Sequence, residues 1–549
     1  MIGGAPPAKT GLERQPGGWS GGMVDWLTEP AVSQRLQFLG AHFMLDDLRQ
    51  YQSNCAIARI IRQFQSERSR PAFIAWVILL GLSGRYPTST QVHGIAGAIS
   101  LGRFSWALRS ALELSRDSKA RRRVLTPASS LVVDVTKLSS QETISGIPRV
   151  TLALAREAVS RGGQAVVWDS GGPAPVSISS EGEVEFPSEI WARPQRRRRQ
   201  LVRAYLGLLE SLSDRPRAFL MFAVLARALL KLGIRWTQAS REPGELLLLS
   251  GGHYVESEIP SEEVADQLGL CNEIGTGMTL SVFVHDFLPV THPQFFDDVS
   301  MREHLALTGL LLESDFVYVA TQDLAEKVRF ATALKDNNVS IEASVVPLPM
   351  PLPSAPSAEA GRNKPYFLVM GGFGPRKGLT SFLDYLAMCG HNPERFGIRV
   401  VGFPRPSRNR ASLDLFQRLR RLGVDVSFNP SDTKLAELME KSVGVVYPSF
   451  AEGYGFPVLE ASYLGKPVIC RPIPSNISLE TMFGGRIVYW DDRSKNTYNT
   501  MVKLAKGEQS AVIARTPGRI PIPTDTQAWA TNILVTGANH FFASPKYRD

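Results

Sequence analysis

The sequence predicts an α/β chain of two Rossmann-like halves preceded by a helical module, and three stretches predict it. The first is residues 444–470, GVVYPSFAEGYGFPVLEASYLGKPVIC. Val445, Val446 and Tyr447 read as a short buried strand, and the Gly-rich turn from Pro448 to Gly455 leads into a helix. Pro457 stands where a first helical residue belongs, Gly465 where a C-terminal stop belongs, and Pro467 to Cys470 begin the next strand. Strand, loop, helix and strand in that order make a unit of a parallel sheet. The second stretch is a strand at Leu131 to Val135 whose Gly-containing loop opens a helix, as at the start of a Rossmann-like half. The third is the buried strand Phe367 to Met370, followed by Gly371-Gly372-Phe373-Gly374-Pro375-Arg376-Lys377-Gly378.

At 549 residues the chain is long enough for three or four domains. With 44% hydrophobic and 21% charged residues, it has the composition of a globular protein. Cys55, Cys271, Cys389 and Cys470 are far apart and form no C-x-x-C pair, which predicts reduced thiols in a cytoplasmic protein and no zinc site. The longest apolar run, Ala72 to Leu82, is too short to cross a bilayer, and the Gly- and Pro-rich start has no apolar signal core. Membrane attachment, where it occurs, is therefore expected to be peripheral.

Taken in order, residues 1–22 read as a flexible tail and 23–125 as a helical module. In the module apolar residues recur at helical spacing, as in Leu36, Leu39 and Phe43, then Ile57, Ile60, Ile61 and Phe64. It carries no recognisable chemistry. The first Rossmann-like domain covers 127–352. Its opening loop, Thr143 to Arg149, contains Gly146 and Arg149 and precedes an amphipathic helix of Val150, Leu152, Leu154, Ala155 and Val159. Residues 193–236 form an insertion that concentrates the charge. Its eleven basic residues, among them Arg196 to Arg199, stand against Glu210 and Asp214, which accounts for the whole-chain net charge of +9. Basic stripes beside apolar faces read either as helices on an anionic membrane surface or as a packed pair with a solvated basic face. No nucleic-acid module accompanies them, so nucleic acid is not an expected partner.

Leu246 to Leu249, ending in Ser250-Gly251-Gly252-His253, and Leu280 to Val284, ending in His285-Asp286, read as two further parallel strands. Ligands of open α/β sheets bind at such C-terminal strand ends. The strand Val317 to Ala320 follows, and the Pro-rich stretch to Gly361 is the expected hinge. The second Rossmann-like domain covers 363–523, with a strand from Ile398 that ends at Gly402. Residues 524–549 supply a final helix and tail, the helix packing back across the cleft.

Two carboxylates, Glu452 and Glu460, stand with seven residues between them. The amides at a helix start lack intrahelical partners and carry the positive end of the helix dipole, so this loop suits a phosphate or diphosphate. A carboxylate beside an anion site makes sense when the ligand also brings hydroxyls, and a nucleotide sugar has both. On spacing alone, solvated carboxylates around a simple turn explain the pattern equally well. The loop with Gly372, Gly374, Arg376 and Lys377 is neither a Walker loop nor G-x-G-x-x-G. Its adjacent Arg and Lys can neutralise a leaving diphosphate without a metal.

The run Glu452-Gly453-Tyr454-Gly455-Phe456-Pro457-Val458-Leu459-Glu460 resembles the E-x7-E signature of the retaining glycosyltransferases of family four, which have the GT-B fold. The Gly146-Ile-Pro-Arg149-Val loop resembles the opening of the polysaccharide-assembly, mannosyltransferase-like branch of that family, and Val284-His285-Asp286 resembles the family's segment that places a histidine near the donor sugar. The resemblance implies that Glu452 lies near the donor sugar, that Glu460 holds the ribose, and that the amides from Gly453 to Leu459 approach the diphosphate. It further implies that Arg376 and Lys377 grip that diphosphate, that His285 reaches the donor sugar, and that Gly402 borders the nucleobase. Gly146, Arg149 and Asp286 would face the acceptor or the cleft; His292 reads as structural.

The expected activity is transfer of a hexose, mannose preferred, from a nucleoside diphosphate sugar with GDP as the favoured carrier. The expected acceptor is a glycan or a lipid-linked glycan in cell-surface polysaccharide assembly, and no cofactor or obligatory metal is expected. A non-catalytic GT-B scaffold subunit is the first alternative, and a GT-B phosphorylase or sugar-nucleotide epimerase the second. The presence of Arg376, Lys377, Glu452 and Glu460 together counts against the scaffold.

Overall fold

The computed structural model describes residues 27, 29–52, 56–115, 124–140, 147–169, 172–178, 184–185, 245–335, 341, 343–349, 364–402, 410–428, 430–508 and 516–543. Gly146, Cys55, the hinge around 350–363 and the whole basic insertion 193–236 lie outside them.

Five longer helices come first: Pro30–His42, Ala56–Ser66, Pro71–Ser83, Ser89–Ser100 and Phe104–Ser115. In Pro71–Ser83 every residue from Phe73 onward is buried, so the run too short for a bilayer is the axis of a helical core. The last carbonyls of such a helix need partners. The buried Arg35 supplies them, donating from Nε to the Gly81 carbonyl at 2.9 Å and from Nη2 to that of Leu82 at 3.3 Å. Tyr86 joins this bundle to the first Rossmann-like half: its hydroxyl donates to the Leu247 carbonyl at 2.9 Å and accepts from the Leu249 amide at 2.7 Å. One continuous apolar core runs from Leu36 and Trp76 to Leu248, Leu268 and Val282.

The first half contains β1 (Val124–Pro127), β2 (Leu131–Asp134), β3 (Gln164–Asp169), β4 (Gly172–Ile178), β5 (Val184–Glu185), β6 (Glu245–Leu248), β7 (His253–Glu256), β8 (Thr279–Val284), β9 (Phe316–Val319) and β10 (Ala343–Val345). Among the described residues eight of these form one sheet in the order β10-β9-β8-β7-β2-β3-β4-β5. It is parallel apart from the antiparallel pairs β3 with β4 and β4 with β5. The strand expected at Leu246 to Leu249 is present as β6, and a second strand that the sequence did not announce, β7, follows it; Gly251 (φ 62°) and Gly252 (φ 89°) take left-handed conformations between the two. β6 leaves the main sheet to pair with β1, and the central strand is β7. The polar residues at its cleft end are thus Glu256, Ser257 and Glu258, not Ser250 to His253.

The second half is a sheet in the order β13-β12-β11-β14-β15-β16-β17. Its strands are β11 (Tyr366–Met370), β12 (Gly397–Gly402), β13 (Asp425–Phe428), β14 (Gly444–Tyr447), β15 (Pro467–Cys470), β16 (Gly484–Tyr489) and β17 (Thr516–Pro517). Among the described residues only the terminal β16–β17 pair is antiparallel. Two Rossmann-like sheets facing each other make the GT-B arrangement.

The final helix, Thr526–Ala543, packs on the first half, against the helix Ile147–Ser160. Trp529 lies 6.1 Å from Phe283, and Thr531 Oγ1 donates to Glu157 Oε1 at 2.7 Å. A buried apolar cluster therefore crosses from Val133 and Phe283 through Tyr447 and Leu459 to Ile533.

Candidate active site

The loops after β11 and β14 meet because neighbouring parallel strands end on the same side of a sheet. After β11, Gly371 (φ 132°) and Gly372 (φ 74°) let the chain turn into the short 3-10 helix Pro375–Lys377, for which Gly374 is the residue before the first. Gly402, at the end of β12, must lack a side chain, since a Cβ there would lie 2.4 Å from the Gly372 Cα. Gly378 (φ 68°) meets the other loop: a Cβ would come 2.2 Å from the Pro448 carbonyl oxygen.

Glu452 is the centre of the site. Its Oε2 lies 2.8 Å from Arg376 Nη1 and its Oε1 2.7 Å from Lys377 Nζ. The carboxylate side chain is 8% exposed, whereas the arginine and lysine side chains are 22% and 24% exposed. Burial pushes the Glu452 carboxyl up, but the charges of Lys377 and then Arg376 outweigh it and hold the group below the usual carboxylate range. Burial draws the Lys377 ammonium down against the pull of Glu452. Arg376 Nη1 also donates to the Ala451 carbonyl at 2.6 Å, and its guanidinium lies 5.9 Å from the Phe296 ring. Two cations thus share one carboxylate, and both side chains are less buried than it is.

Downstream, Gly455 (φ 98°) precedes the helix Phe456–Tyr463. That helix begins one residue earlier than the sequence indicates: Phe456 is its first residue and Pro457 its second, because the left-handed Gly455 already ends the loop. Tyr454 is buried, and its hydroxyl donates to the Leu348 carbonyl at 3.3 Å across the cleft. Tyr454 and Phe456 meet edge to face at 5.2 Å, and Val458 and Leu459 are buried in the core. Glu460 is 4% exposed and faces the first half, where Arg149 Nη1 lies 3.6 Å from its Oε1.

His285 is buried, and its Nε2 lies 2.7 Å from the Ser257 carbonyl oxygen. A carbonyl only accepts, so Nε2 carries the proton of that bond. Burial lowers the imidazole pKa, and the neutral ring then leaves Nδ1 as an acceptor. Burial would raise the Asp286 carboxyl, yet His304 and the Leu288 amide, 2.9 Å from Oδ1, hold it low. His304 Nε2 is 3.5 Å from the same oxygen. Gly453 closes the cleft here, since a Cβ on it would lie 2.7 Å from both the His285 carbonyl oxygen and the Asp286 Cβ. His292 pairs with neighbouring Thr291 at 2.9 Å and stands apart from this group.

The geometry therefore brings together Arg376, Lys377, Glu452, Gly453, His285 and Asp286, with Glu460 and Arg149 as a second pair across the cleft. Arg471 is a site residue that the sequence pattern does not single out. Its guanidinium is sandwiched 4.2 Å from Phe450 and 4.1 Å from Trp490, and its Nε donates to the Pro448 carbonyl at 3.1 Å, fixing the loop that carries Glu452. The available signal was its position directly after β15, the same kind of strand end that carries Arg376. Glu256 and Glu258 were also missed. Among the described residues no group of three or more His, Cys, Asp or Glu side chains is placed to hold a metal ion. Cys271, Cys389 and Cys470 are free and buried.

Both carboxylates and the basic pair fall inside one family match. Residues 355–495 match the profile described as glycosyl transferases group 1. A 294-residue stretch is 26% identical to the serotype-specific mannosyltransferase WbdA of Escherichia coli, covering 45% of this chain and 36% of that protein. A second WbdA sequence is 26% identical with 34% of its length covered, so the chain spans about a third of these relatives. Among solved structures, Anabaena HepE in complex with UDP and glucose overlaps with a TM-score of 0.43 at 13% identity, covering 75% of this chain and 98% of that one. Sucrose-phosphate synthase from Thermosynechococcus elongatus overlaps with a TM-score of 0.44 at 15% identity, covering 75% and 99%.

Glu258, next in sequence to the Ser257 whose carbonyl accepts from His285, is buried, and its carboxyl is pushed up to about 8 by burial and by Asp134. The folded state then keeps a proton that the unfolded chain, at the ordinary value of 4.5, has released. Stability must fall as pH rises through that interval. We expect the denaturation midpoint to drop by the equivalent of about 1–3 kcal/mol between about pH 6 and about pH 8, and the slope to flatten in Glu258→Gln. An unchanged slope in the variant would show that Glu258 is ionised in the fold.

Proposed function

We propose that this chain is a retaining, nucleotide-sugar-dependent glycosyltransferase of family four. It moves a hexose, mannose by preference, from a nucleoside diphosphate carrier, GDP by preference, to a glycan or lipid-linked acceptor in cell-surface polysaccharide assembly. The observation that carries this reading is Glu452 holding Arg376 and Lys377 together beside the start of the Phe456–Tyr463 helix. In this reading two cations and a set of helix-start amides meet the diphosphate as it gains charge while its bond to the sugar breaks, which is stabilisation aimed at the transition state. Arg376 offers a planar fork and Lys377 a compact charge.

In this reading Glu452 also orients the donor sugar, and neutral His285 accepts from a sugar hydroxyl at Nδ1. Glu460 takes the ribose hydroxyls, with Arg149 steadying it from the other half. The match to glycosyl transferases group 1 and the partial likeness to WbdA support the transferase class and the preference for mannose.

Lys377→Ala tests the diphosphate contact. Affinity for the nucleoside diphosphate should fall by about tenfold or more, one charge-assisted contact, while affinity for the bare nucleoside stays unchanged. Equal losses for both would remove the basic pair from the phosphate site.

The insertion 193–236 supports a peripheral place on the inner face of the cytoplasmic membrane. No described helix is long and apolar enough to cross a membrane. Eleven basic residues in one segment suit an anionic leaflet, each worth about 1 kcal/mol near the surface. The expected result is co-sedimentation with anionic liposomes that weakens with salt and drops sharply when Arg196 to Arg199 become Ser. Equal binding to neutral and anionic vesicles, or none to either, would mark the insertion as an ordinary packed pair.

A further inference from the structure

A row of stacked planar groups runs from the second half across the cleft to the first. Trp490, Arg471 and Phe450 stand just beyond the ends of β16, β15 and β14. The Arg471 guanidinium lies 4.1 Å from the Trp490 ring and 4.2 Å from the Phe450 ring. Phe450 in turn stacks on Phe295 of the first half, with ring centroids 6.3 Å and planes 23° apart, and Phe295 stacks on His292 at 6.4 Å and 17°. Offset rings at such separations attract each other. Phe450 is nevertheless 40% exposed and Phe295 half-buried, so the two rings meet at the rim of the cleft and not in a core.

The backbone ties Phe450 to the charged centre. Its amide donates to the Arg376 carbonyl at 2.9 Å, and Arg376 Nη1 returns a bond to the Ala451 carbonyl at 2.6 Å. Glu452 is the next residue. A shift of Phe450 must therefore move the carboxylate and the arginine together. Arg471 opposes such a shift from the other side of the ring. Its Nε donates to the Pro448 carbonyl at 3.1 Å, its Nη2 donates to Ser381 Oγ at 2.9 Å, and its Nη1 lies 3.2 Å from Asp492 Oδ2. Pro448 belongs to the loop of Glu452, and Ser381 to the helix Leu379–Cys389 that begins directly after the loop of the basic pair. One planar fork thus braces both loops, and a lysine, with a single nitrogen and no flat face, cannot do the same.

We propose that Arg471 is a positioning residue for glycosyl transfer: it holds the Phe450 ring against Phe295, and that contact sets Arg376, Lys377 and Glu452 in register with His285 of the first half. The inference rests on the transferase reading. His285 and Phe295 both belong to the short segment that follows β8, so the place of one constrains that of the other. Phe296, beside Phe295, faces the Arg376 guanidinium at 5.9 Å, which adds a second contact between the same segment and the basic pair. An arginine that only stabilised the second half would need no flat ring at position 450 and no ring opposite it. The Phe450–Phe295 contact brings neither charge nor hydrogen bond to a nucleotide, so it acts on alignment of the two halves and not on diphosphate affinity.

A double-mutant cycle in the full chain tests this, with Arg471→Lys, Phe295→Ala and the double variant. The probes are GDP-mannose, UDP-glucose and UDP-N-acetylglucosamine, with release of the nucleoside diphosphate followed as kcat and KM. Phe295→Ala should lower kcat by about tenfold and leave nucleoside diphosphate affinity unchanged, and Arg471→Lys should lower kcat by about 10–10²-fold, as expected for misalignment of reacting groups. In the double variant the losses should not multiply: with Phe295 gone, Arg471→Lys should cost at least about threefold less in kcat than it does alone. If Arg471→Lys does not fold, Phe450→Leu, which keeps apolar bulk and loses the flat ring, takes its place with the same expectation. Losses that multiply, or an unchanged kcat in Phe295→Ala, would confine Arg471 to bracing the second half and overturn the inference while leaving the transferase reading intact. Release of nucleoside diphosphate from none of the three donors by the wild-type chain would overturn the transferase reading, and this inference with it.

Discussion

Glu452→Gln should reduce turnover by about 10²–10³-fold at saturating donor, the loss expected for one positioned polar group in a transition state. It should also lower stability, because the carboxylate neutralises two cations at once. Complete burial of an unpaired charge costs about 3–5 kcal/mol, and the partial exposure of Arg376 and Lys377 reduces this to about 1–3. The two effects separate on adding nucleoside diphosphate. A diphosphate supplies the negative charge that the glutamine lacks, so it should raise the melting temperature of the variant by more than that of the wild type. Unchanged turnover would remove Glu452 from the reaction. Equal stabilisation of both proteins would mean that the basic pair does not face the diphosphate.

Much of this arrangement is legible in local sequence, and the reason is chemical. Glycines at forced conformations, a basic pair after a buried strand and carboxylates at fixed spacing all lie within a few residues of one another, so Gly371 to Gly378 and Glu452 to Glu460 each announce a strand-end loop. That the two loops share one ion-paired centre follows once their strands are neighbours in a parallel sheet. The pairing of Arg149 with Glu460 was not legible, because two distant loops meet only when the halves face each other. The buried carboxyls Glu256 and Glu258 were hidden for a different reason. β7 is four residues long, too short for periodicity to declare, and nothing in the local sequence separates Glu256 and Glu258 from Glu262 and Glu263. Only tertiary packing distinguishes the buried pair from Glu262 and Glu263, which are exposed on the following helix.

Gly453→Ala should slow turnover by about 10–10²-fold with little change in nucleoside diphosphate affinity. The backbone of Gly453 is not in the left-handed region, so the added methyl costs nothing in conformation and acts through contact alone. It would stand 2.7 Å from the His285 carbonyl oxygen and 3.2 Å from Asp286 Oδ2, both held by the end of β8. Neither can yield as a flexible side chain would: one is backbone, and the other belongs to a carboxylate whose Oδ1 accepts from the Leu288 amide. The two halves must then part by several tenths of an ångström or more, and misplacement of about 1 Å can cost about 10²-fold in rate. Arg376, Lys377 and Glu452 all belong to the second half, so diphosphate binding survives the separation. His285 belongs to the first half, so the contact with the donor sugar proposed for it does not. Turnover unchanged in Gly453→Ala would show that the reaction proceeds without this contact, and a parallel loss of nucleoside diphosphate affinity would show that the substitution disturbs the Glu452 loop itself.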